Sequence, residues 1–457
     1  MTKRNSPAHT PNADPADPLY GEQTRLALAN FDIGGQPLPR PFIRALGLIK
    51  SCAARVNGDL GLLPPELARV VEDAASEVAE GRHDDQFPVD VFQTGSGTST
   101  NMNANEVIAE LARRRLGRPV HPNDDVNRGQ SSNDVIPSAI HLSTALALGP
   151  LELALRSLAD AIRDRAREYE SVVKTGRTHL MDAVPLTFGQ ELSGWAAQVD
   201  ANLERLADVG KRLLLIPQGG TAVGTGLNAH PDFAARFAAL LAERTGLAFR
   251  PAPNFFAAIG AQDTSVELSG QLRVTAITLL KIATDLRWMN SGPAAGLAEI
   301  RLPELQHGSS IMPGKVNPVI PESVGMACVQ IVGLDAAVAM AAQDNRFQLA
   351  TMLPLIAFDL LQQLVLLTRA AHALEIEAIA RFEADIPALT DRARRNAMLA
   401  TALTPRIGYV LAGQIARAAL AQGRPVIDVA RELSGLGDEE LEQLLDPMRM
   451  ARPYGSP

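Results

Sequence analysis

The stretch Gly308-Ser-Ser-Ile-Met-Pro-Gly-Lys-Val-Asn-Pro-Val-Ile-Pro-Glu322 predicts a loop that runs into a helix. Its glycines permit backbone angles that other residues avoid, and its three prolines prevent a regular hydrogen-bond ladder. Because proline is well tolerated in a first helical turn, we expect a helix from about Pro321 onward. A helix N-terminus beside a lysine and an amide favours an anion, although an ordinary surface loop could carry the same residues. The polar groups of the stretch are Ser309, Ser310, Lys315, Asn317 and Glu322.

Apolar side chains alternate with these polar groups. They are Ile311, Met312, Val316 and Val319. We expect them to anchor the loop against a core, because apolar surface is removed from water where it can be.

The composition is that of a large globular protein. The chain has 457 residues, of which 46% are hydrophobic and 21% are charged, and its formal net charge is −8. This charge argues against a general nucleic-acid-binding role. Aromatic residues make up only 4%, so the core must be built from aliphatic side chains, among which alanine and leucine favour helices.

The cysteines and the N-terminus predict a cytoplasmic protein. Cys52 and Cys328 are the only cysteines, too few for a disulfide framework or a thiolate metal site, so a reducing compartment is expected. Residues 1–20 are polar and proline-rich, which predicts a flexible arm and not a signal peptide. No uncharged stretch is long enough to cross a bilayer, so no membrane association is expected.

Hydrophobic spacing predicts helices along most of the chain. Phe42, Leu46, Ile49, Ala53 and Val56 step by three and four, and residues 67–78 repeat the pattern. Longer stripes follow from about residue 139, and helices near thirty residues would be about 45 Å long. No alternating strand pattern is evident in this middle section. The stripes cover residues 151–169, 188–215, 263–290, 323–343 and 354–382.

These patterns predict three domains after the arm. Residues 21–138 form a helical domain with polar loops, residues 139–395 a bundle of long helices, and residues 396–457 a small helical domain. Gly149-Pro150 could bend or interrupt the first long helix.

One polar loop, Thr94–Glu106, leads into a helix predicted over residues 106–115. Its Gly-x-Gly has no preceding strand, so we reject a dinucleotide-binding interpretation. Asn103 and Glu106 have the spacing of a capping box. The hydroxyls of Ser96 and Thr98, on either side of Gly97, are the functional candidates, although a simple capping loop has the same composition.

A second polar loop, His121–Asp134, also ends at a helix. Its histidine and aspartates lack the rest of a coordination shell at a recognised spacing, so we expect no metal. It offers several donors for carboxylate oxygens: Asn123, Ser131, Ser132 and Asn133.

Two further polar segments lie between the long helices. Residues 174–182 contain Thr178 and His179, and a histidine in such a loop is equally consistent with a structural or a catalytic role. The glycine-rich residues 217–228 could hold a ligand by backbone N–H groups or allow two helices to cross closely.

Three of these loops together resemble the fumarase/aspartase superfamily and, within it, class II fumarase. The loops are 95–106, 121–134 and 308–322, and the last carries the family pattern Gly-Ser-Ser-x-Met-Pro-x-Lys-x-Asn. The resemblance extends from about Gly21 to about Met450. It implies a mainly α-helical, three-domain subunit whose long helices pool in a homotetramer, with each active site built from three subunits.

The resemblance also implies the reversible hydration of fumarate to (S)-malate without a metal or organic cofactor. Ser309 would be the base that takes the carbon-bound proton, and Lys315 and Asn317 would stabilise the aci-carboxylate. His179, paired with Glu322, would handle the water end. The residues implied to bind the substrate are Ser96, Gly97, Thr98, Arg118, Asn123, Ser131, Ser132, Asn133, Thr178, Ser310, Lys315, Val316 and Asn317. A secondary dicarboxylate site without a catalytic role would comprise His121, Pro122, Asn123 and Asp124.

Two other functions stay open at this point. Aspartate ammonia-lyases share the fold, but they usually carry glutamine in place of His179 and alanine in place of Gly314. Residues 319–322 match either enzyme, and residues 305–307 depart from the usual fumarase run. A helical structural protein that has lost catalysis would show eroded polar loops, whereas this chain retains the implied catalytic residues.

Overall fold

A computed structural model describes residues 18–452 and shows a mainly α-helical protein, as the sequence predicted. The helices are α1 (Glu22–Asn30), α2 (Arg40–Asp59), α3 (Pro65–Glu80), α4 (Thr98–Leu116), α5 (Ser132–Glu168), α6 (Phe188–Leu213), α7 (Phe233–Thr245), α8 (Phe255–Gly260), α9 (Asp263–Met289), α10 (Val319–Ala342), α11 (Leu353–Leu374), α12 (Ile386–Arg395), α13 (Thr404–Ile407), α14 (Tyr409–Gln422), α15 (Val426–Leu433), α16 (Asp438–Leu444) and α17 (Pro447–Ala451).

Short strands in the segments between the helices form three pairs. The strands are β1 (Val173–Thr178), β2 (Met181–Thr187), β3 (Leu215–Ile216), β4 (Arg250–Pro251), β5 (Ile300–Arg301) and β6 (Glu383–Ala384). β1 and β2 form an antiparallel hairpin, β3 and β4 a parallel pair, and β5 and β6 an antiparallel pair.

The expectation that the middle section lacks strands was wrong at the β1–β2 hairpin. Burial along β1 changes from base to tip: the residues from Val173 to Gly176 are buried, Arg177 is partly buried and Thr178 is exposed. The alternation that normally reveals a strand requires one buried and one exposed face. A hairpin with a buried base and an exposed tip therefore gives no such signal.

The described chain forms two compact units. The first contains the described part of Met1–Leu151 together with Glu204–Val274 and Gln330–Leu367. The second contains Glu152–Leu203, Thr275–Val329 and the described part of Thr368–Pro457. The boundaries fall inside the long helices α5, α6, α9, α10 and α11, so each of these helices contributes residues to both units.

In the first unit, α2 and α3 pack closely against each other. The five periodic residues predicted to face inward on α2 are all buried. A Cβ on Gly47 would lie 2.5 Å from the backbone nitrogen of Ala79, so glycine is required where the helices approach. Elsewhere in this unit, Ser269 of α9 donates to Asp335 of α10 at 2.7 Å. Buried polar contacts of this kind fix how the long helices pack.

In the second unit, aromatic rings pack at the base of the β1–β2 hairpin. The ring centroids of Tyr169 and Phe188 are 5.2 Å apart, and those of Tyr169 and Phe382 are 5.8 Å apart. The Arg165 guanidinium lies over the Phe382 ring at 4.4 Å. Because aromatic contacts of this type stabilise beyond area burial, the cluster gives the hairpin a firm base.

One local prediction at a helix end was wrong. Helix α4 begins at Thr98, so Asn103 and Glu106 lie within it and do not form a capping box. The buried Glu106 carboxylate instead accepts the backbone N–H groups of Gly21, Gln23 and Thr24 and so caps the start of α1. The interruption considered at Gly149-Pro150 does not occur, because α5 continues through Pro150.

The arm predicted over residues 1–20 lies mostly outside the described residues. Its last residues are packed and not free: Leu19 and Tyr20 are buried. The Leu19 N–H donates to the Gln86 side chain at 2.8 Å.

Three helical segments are long and apolar enough to cross a membrane, judged by length and composition alone. They are Ser132–Glu168, Val319–Ala342 and Leu353–Ile379. Each segment contains charged residues, such as Asp134, Asp335 and Asp359, so none was predicted from the sequence to cross a membrane. Several apolar side chains of α10 are exposed in one chain, with Met326 at 70% and Val329 at 63%. This helix therefore presents an uncovered apolar surface.

Candidate active site

The N-terminus of α5 is built from the end of the second polar loop. The Ser131 hydroxyl accepts the Asn133 N–H at 3.2 Å, and the Ser131 N–H donates to Asp134 at 2.9 Å. This is the reciprocal arrangement of a capping box. It fixes Ser131, Ser132 and Asn133 at the positive end of a long helix, where an anion is favoured.

A row of three hydroxyls joins this helix to the start of α4. The oxygens of Ser96 and Thr98 are 2.7 Å apart, and those of Thr98 and Ser132 are 2.8 Å apart. Gly97 lies between them with a φ of +70°, and a Cβ there would come within 3.0 Å of Ile136. The two helix N-termini and their hydroxyls form a partly exposed polar surface, which we name the hydroxyl row (Ser96, Thr98 and Ser132).

The glycine-rich loop 217–228 lies against the same surface. The Asn133 side chain donates to the Ala222 carbonyl at 2.8 Å. The buried Asp134 carboxylate accepts the N–H groups of Gly219 at 3.0 Å and Thr221 at 2.9 Å. These two N–H groups are therefore used within the protein and do not face a ligand. Burial raises the pKa of Asp134 to about 6, although these hydrogen bonds oppose the shift.

The first part of the second polar loop is a short turn, Pro122–Val126, of π-helical geometry. The His121 ring accepts the Asp124 N–H at 3.1 Å, and the His121 N–H donates to the Asp125 carboxylate at 2.7 Å. Asn123 and Asp124 are exposed, and so is Arg118, which follows the end of α4. The structure thus places Asn123 and Arg118 at the surface, outside the hydroxyl row.

His179 lies at the tip of the β1–β2 hairpin. His179 and Leu180 form a two-residue turn in which both φ angles are positive, 55° and 60°. This is the turn type that matches the twist of a hairpin. His179 and the preceding Thr178 are both exposed.

A buried charge network holds the stem of this hairpin. The Lys174 ammonium donates to Glu191 at 2.5 Å and to Glu299 at 2.8 Å. The Arg177 guanidinium donates to the other oxygen of Glu299 at 2.7 Å. Burial alone would raise the pKa of Glu299, but the two cations outweigh it and leave that pKa lowered. The network therefore ties β1 to the segment that leads into β5 and then into the loop Gly308–Asn317, which we name the Ser309 loop.

In the Ser309 loop, two backbone N–H groups converge on the Ser309 hydroxyl. The Ile311 and Met312 N–H groups donate to Ser309 Oγ at 3.2 and 3.1 Å. Donors in this position stabilise negative charge on the oxygen, which a serine needs if it is to act as a base. The sequence indicated that the Ser309 oxygen would need nearby donors, but it did not show which N–H groups supply them.

The loop closes on itself between Gly308 and Asn317. The Asn317 side chain donates to the Gly308 carbonyl at 2.6 Å, and the Gly308 N–H donates to the Lys315 carbonyl at 3.1 Å. Gly314 has the positive φ expected of glycine, 79°, and α10 begins at Val319 with Glu322 in its first turn. The Lys315 side chain is exposed.

The prediction that apolar side chains anchor this loop against a core was wrong for one chain. Ile311 is 83% exposed, Met312 is 48% exposed and Val316 is 38% exposed. They were predicted to pack on a core, but they are exposed to solvent. Only the partly buried Val319, at the start of α10, comes close to that expectation.

The predicted residues are divided between the two units. One group is the hydroxyl row with Ser131 and Asn133, in the first unit. The others, Thr178 with His179 and the Ser309 loop, belong to the second unit. Among residues 18–452 of one chain, no hydrogen bond or ion pair joins His179 to Glu322. Within the same residues, no group of three or more His, Cys, Asp or Glu side chains is arranged to hold a metal ion.

Comparisons with known proteins cover nearly the whole chain. A family model described as Lyase matches residues 11–333, and one described as Fumarase C C-terminus matches residues 399–452. A Pseudomonas aeruginosa protein named Fumarate hydratase class II 2 is 53% identical over 439 residues, 96% of either chain. A Xylella fastidiosa protein named Fumarate hydratase class II is 53% identical, covering 95% of this chain and 92% of its own.

The solved structures include a class II fumarase from Schistosoma mansoni. It matches this fold with a TM-score of 0.94 at 36% sequence identity, and the match covers 97% of each chain. The likeness therefore extends to the fold of the whole described chain.

Proposed function

The chain belongs to the class II fumarase family, and we propose on that premise that it catalyses the reversible hydration of fumarate to (S)-malate. In the malate direction, a proton leaves a carbon beside a carboxylate, and hydroxide leaves the neighbouring carbon as water. The first step places two negative charges on one end of the substrate. A catalyst must therefore supply a base, a proton donor and donors for the growing charge.

The observation that carries the proposal is the pair of backbone N–H groups on Ser309 Oγ. They stabilise the serine oxyanion, which then takes the carbon-bound proton of malate. Lys315 lies six residues further along the same closed loop and supplies an ammonium group for the aci-carboxylate. Asn317 uses one side-chain N–H to close the loop on Gly308 and has a second for the substrate.

His179 is the proposed acid at the other end of the substrate. At the exposed tip of its hairpin, it can reach into a site formed with a neighbouring subunit. In the malate direction, it gives its proton to the leaving hydroxyl, and in the reverse direction it accepts a proton from water. Glu322 is proposed to stabilise the imidazolium that forms.

The hydroxyl row and its neighbours are proposed to bind the substrate carboxylates. Neutral donors at two helix N-termini attract a dianion without a full positive charge. The other residues proposed for this role are Gly97, Arg118, Asn123, Ser131, Asn133, Thr178, Ser310 and Val316. The exposed turn formed by His121, Pro122, Asn123 and Asp124 is proposed as a secondary dicarboxylate site outside the reaction.

The exposure of His179 and Lys315 in one chain supports a shared site, because a neighbouring subunit could cover them. We propose a homotetramer in which each active site takes the hydroxyl row, the Ser309 loop and the His179 hairpin from three subunits. The exposed apolar residues of α10 and of the Ser309 loop support this arrangement, because subunit contacts would cover them. On the same reasoning, the apolar long helices pack in a soluble cytoplasmic protein.

The test is to follow fumarate absorbance with purified protein. We expect fumarate to accumulate from (S)-malate and not from aspartate. A Ser309→Ala protein serves as the matched control and should give no signal. Release of fumarate from aspartate alone would make the protein an aspartate ammonia-lyase, and no turnover of either substrate would contradict catalysis.

A further inference from the structure

Lys50 is a buried lysine in the first unit that none of the steps above uses. It lies on α2 with 0% of its surface exposed, in the middle of the apolar face of that helix. Lysine is almost never fully buried unless it is paired, because removal of an ammonium group from water is costly. The groups that bond to Lys50 should therefore indicate the role of its buried ammonium.

The Lys50 ammonium is bonded to the turn that precedes Ser131. It donates to the side-chain oxygens of Asn127 at 2.7 Å and Gln130 at 3.2 Å. Asn127 in turn donates to the Gln130 carbonyl at 3.1 Å and accepts a hydrogen bond from Asn101 of α4 at 3.3 Å. Lys50 thus connects α2, α4 and the turn directly behind the residues proposed to bind carboxylate.

Among residues 18–452, no carboxylate bonds directly to Lys50, yet the charge of one acts on it. Asp134 is fully buried on α5, and its negative charge interacts with the Lys50 ammonium. Asp134 also sits one residue after Asn133, so its charge lies directly behind the proposed binding site. A lone carboxylate there would repel a dianion, because charges interact strongly in a buried, low-dielectric setting.

We propose that Lys50 is a positioning residue whose buried ammonium orders the turn 127–130 and offsets the charge of Asp134, so that the surface around Ser131, Ser132 and Asn133 accepts a dicarboxylate. The inference rests on the proposed function, because it assigns this surface to the substrate. It predicts an effect on dianion binding that exceeds the effect on the chemical step.

Burial lowers the pKa of Lys50 to about 7, while Asp134 opposes the shift. Asp134 of α5 is the charged side chain that faces it, and the turn and α4 contribute the neutral amides of Asn127, Gln130 and Asn101. As the pH rises through about 7, the ammonium is lost and the charge of Asp134 is no longer offset. Dianion affinity should therefore fall over that interval in the unaltered protein.

The first experiment compares Lys50→Met with the unaltered enzyme. KM for fumarate and the inhibition constant of succinate, an unreactive dianion, should each rise about tenfold, while kcat changes much less. The fall in affinity above about pH 7 should also disappear. Lys211→Met is the matched control, because Lys211 has an exposed side chain and the same charge is lost.

A second variant separates charge from structure. Lys50→Met/Asp134→Asn removes both buried charges, so it should bind succinate more tightly than Lys50→Met alone. If Lys50 only fills space or supports the turn, the added substitution would worsen binding. An inhibition constant within twofold of the unaltered enzyme for Lys50→Met, or no recovery in the double variant, would overturn the proposal.

Asn127→Asp provides the same test without loss of the lysine. It keeps the contact with Lys50, loses the N–H that Asn127 donates to the Gln130 carbonyl, and cancels the charge of the ammonium, so the proposal predicts weaker succinate binding. Unchanged binding would overturn the proposal, including in the case where Lys50→Met fails to fold. Failure of the proposed function would be distinct, because the unaltered protein would then not turn over malate.

Discussion

The side-chain amide of Asn317 donates to the carbonyl oxygen of Gly308 at 2.6 Å and closes the loop that carries Ser309. Within this ring, a Cβ on Gly308 would lie 2.1 Å from the Lys315 carbonyl oxygen. The position of the proposed base therefore depends on a close backbone approach that only glycine allows.

Gly308→Ala should inactivate the enzyme without touching a reacting group. The added methyl group would force the loop open and displace Ser309, and misplacement by about 1 Å costs roughly 100-fold in rate. The measurement is kcat for malate, with thermal unfolding to show that the fold is retained. Gly437→Ala is the control, because a Cβ there meets nothing within 4 Å. A Gly308→Ala protein with near-normal kcat would show that the ring is not needed.

His179→Asn should lower kcat by about 10²–10⁴-fold, the range typical of a lost general acid or base. The exposed position of His179 means that stability should change little. His121→Asn is the matched control, because His121 is also exposed but belongs to the proposed secondary site. Equal losses in the two variants would mean that the water end of the substrate is handled elsewhere.

Glu299→Gln should destabilise the second unit. Its carboxylate is 2% exposed and pairs with Lys174 and Arg177, and removal of one partner from a buried ion pair costs about 3–5 kcal/mol. Denaturant unfolding measures this loss. Glu383→Gln, which removes an exposed carboxylate 3.9 Å from Arg301, should cost far less. Equal unfolding free energies for the two variants would contradict the role of the network.

The same glutamate predicts a pH dependence. Because the pKa of Glu299 is lowered from 4.5 in the folded protein, the folded state binds fewer protons than the unfolded state as the pH falls below that value. Its stabilisation is therefore present above about pH 4.5 and is lost as the pH falls through the folded pKa. The Glu299→Gln protein should show a weaker loss of stability over this interval.

Val329→Glu should break the proposed tetramer. Val329 is 63% exposed on α10, and a charge buried in a subunit contact is strongly unfavourable. Sedimentation should show smaller species, and activity should fall in parallel because each site needs several subunits. Leu420→Glu, at a 64% exposed position on α14, should leave both unchanged. An active tetramer of Val329→Glu would exclude this face as the contact.

The helices were readable from the sequence because their apolar residues repeat with the helical period. The residues predicted to face inward on α2 are buried, and the long stripes correspond to α5, α6, α9, α10 and α11. The β1–β2 hairpin was missed because its burial changes from base to tip. The start of α4 was placed too late because its first turn consists of small polar residues, such as Ser99 and Asn101, and so lacks the apolar periodicity of a helix.

The proposed site residues came from the loop patterns and the family resemblance, whereas the residues that support them did not. Lys50 had a readable signal, since it interrupts an apolar face at the position after Ile49. Glu299 had none, because its partners Lys174 and Arg177 lie more than a hundred residues earlier in the chain. The exposed Ile311 and Met312 could not be distinguished from core residues, because both kinds of position carry the same apolar side chains.

Mixing two inactive proteins tests the shared active site most directly. Ser309→Ala and His179→Asn proteins are each purified, unfolded together, refolded as a mixture and assayed with malate. If Ser309 and His179 of one site come from different subunits, some hybrid tetramers contain sites with both residues intact. We therefore expect activity in the mixture that neither protein has alone. A mixture that assembles into tetramers but stays as inactive as its parents would contradict the account.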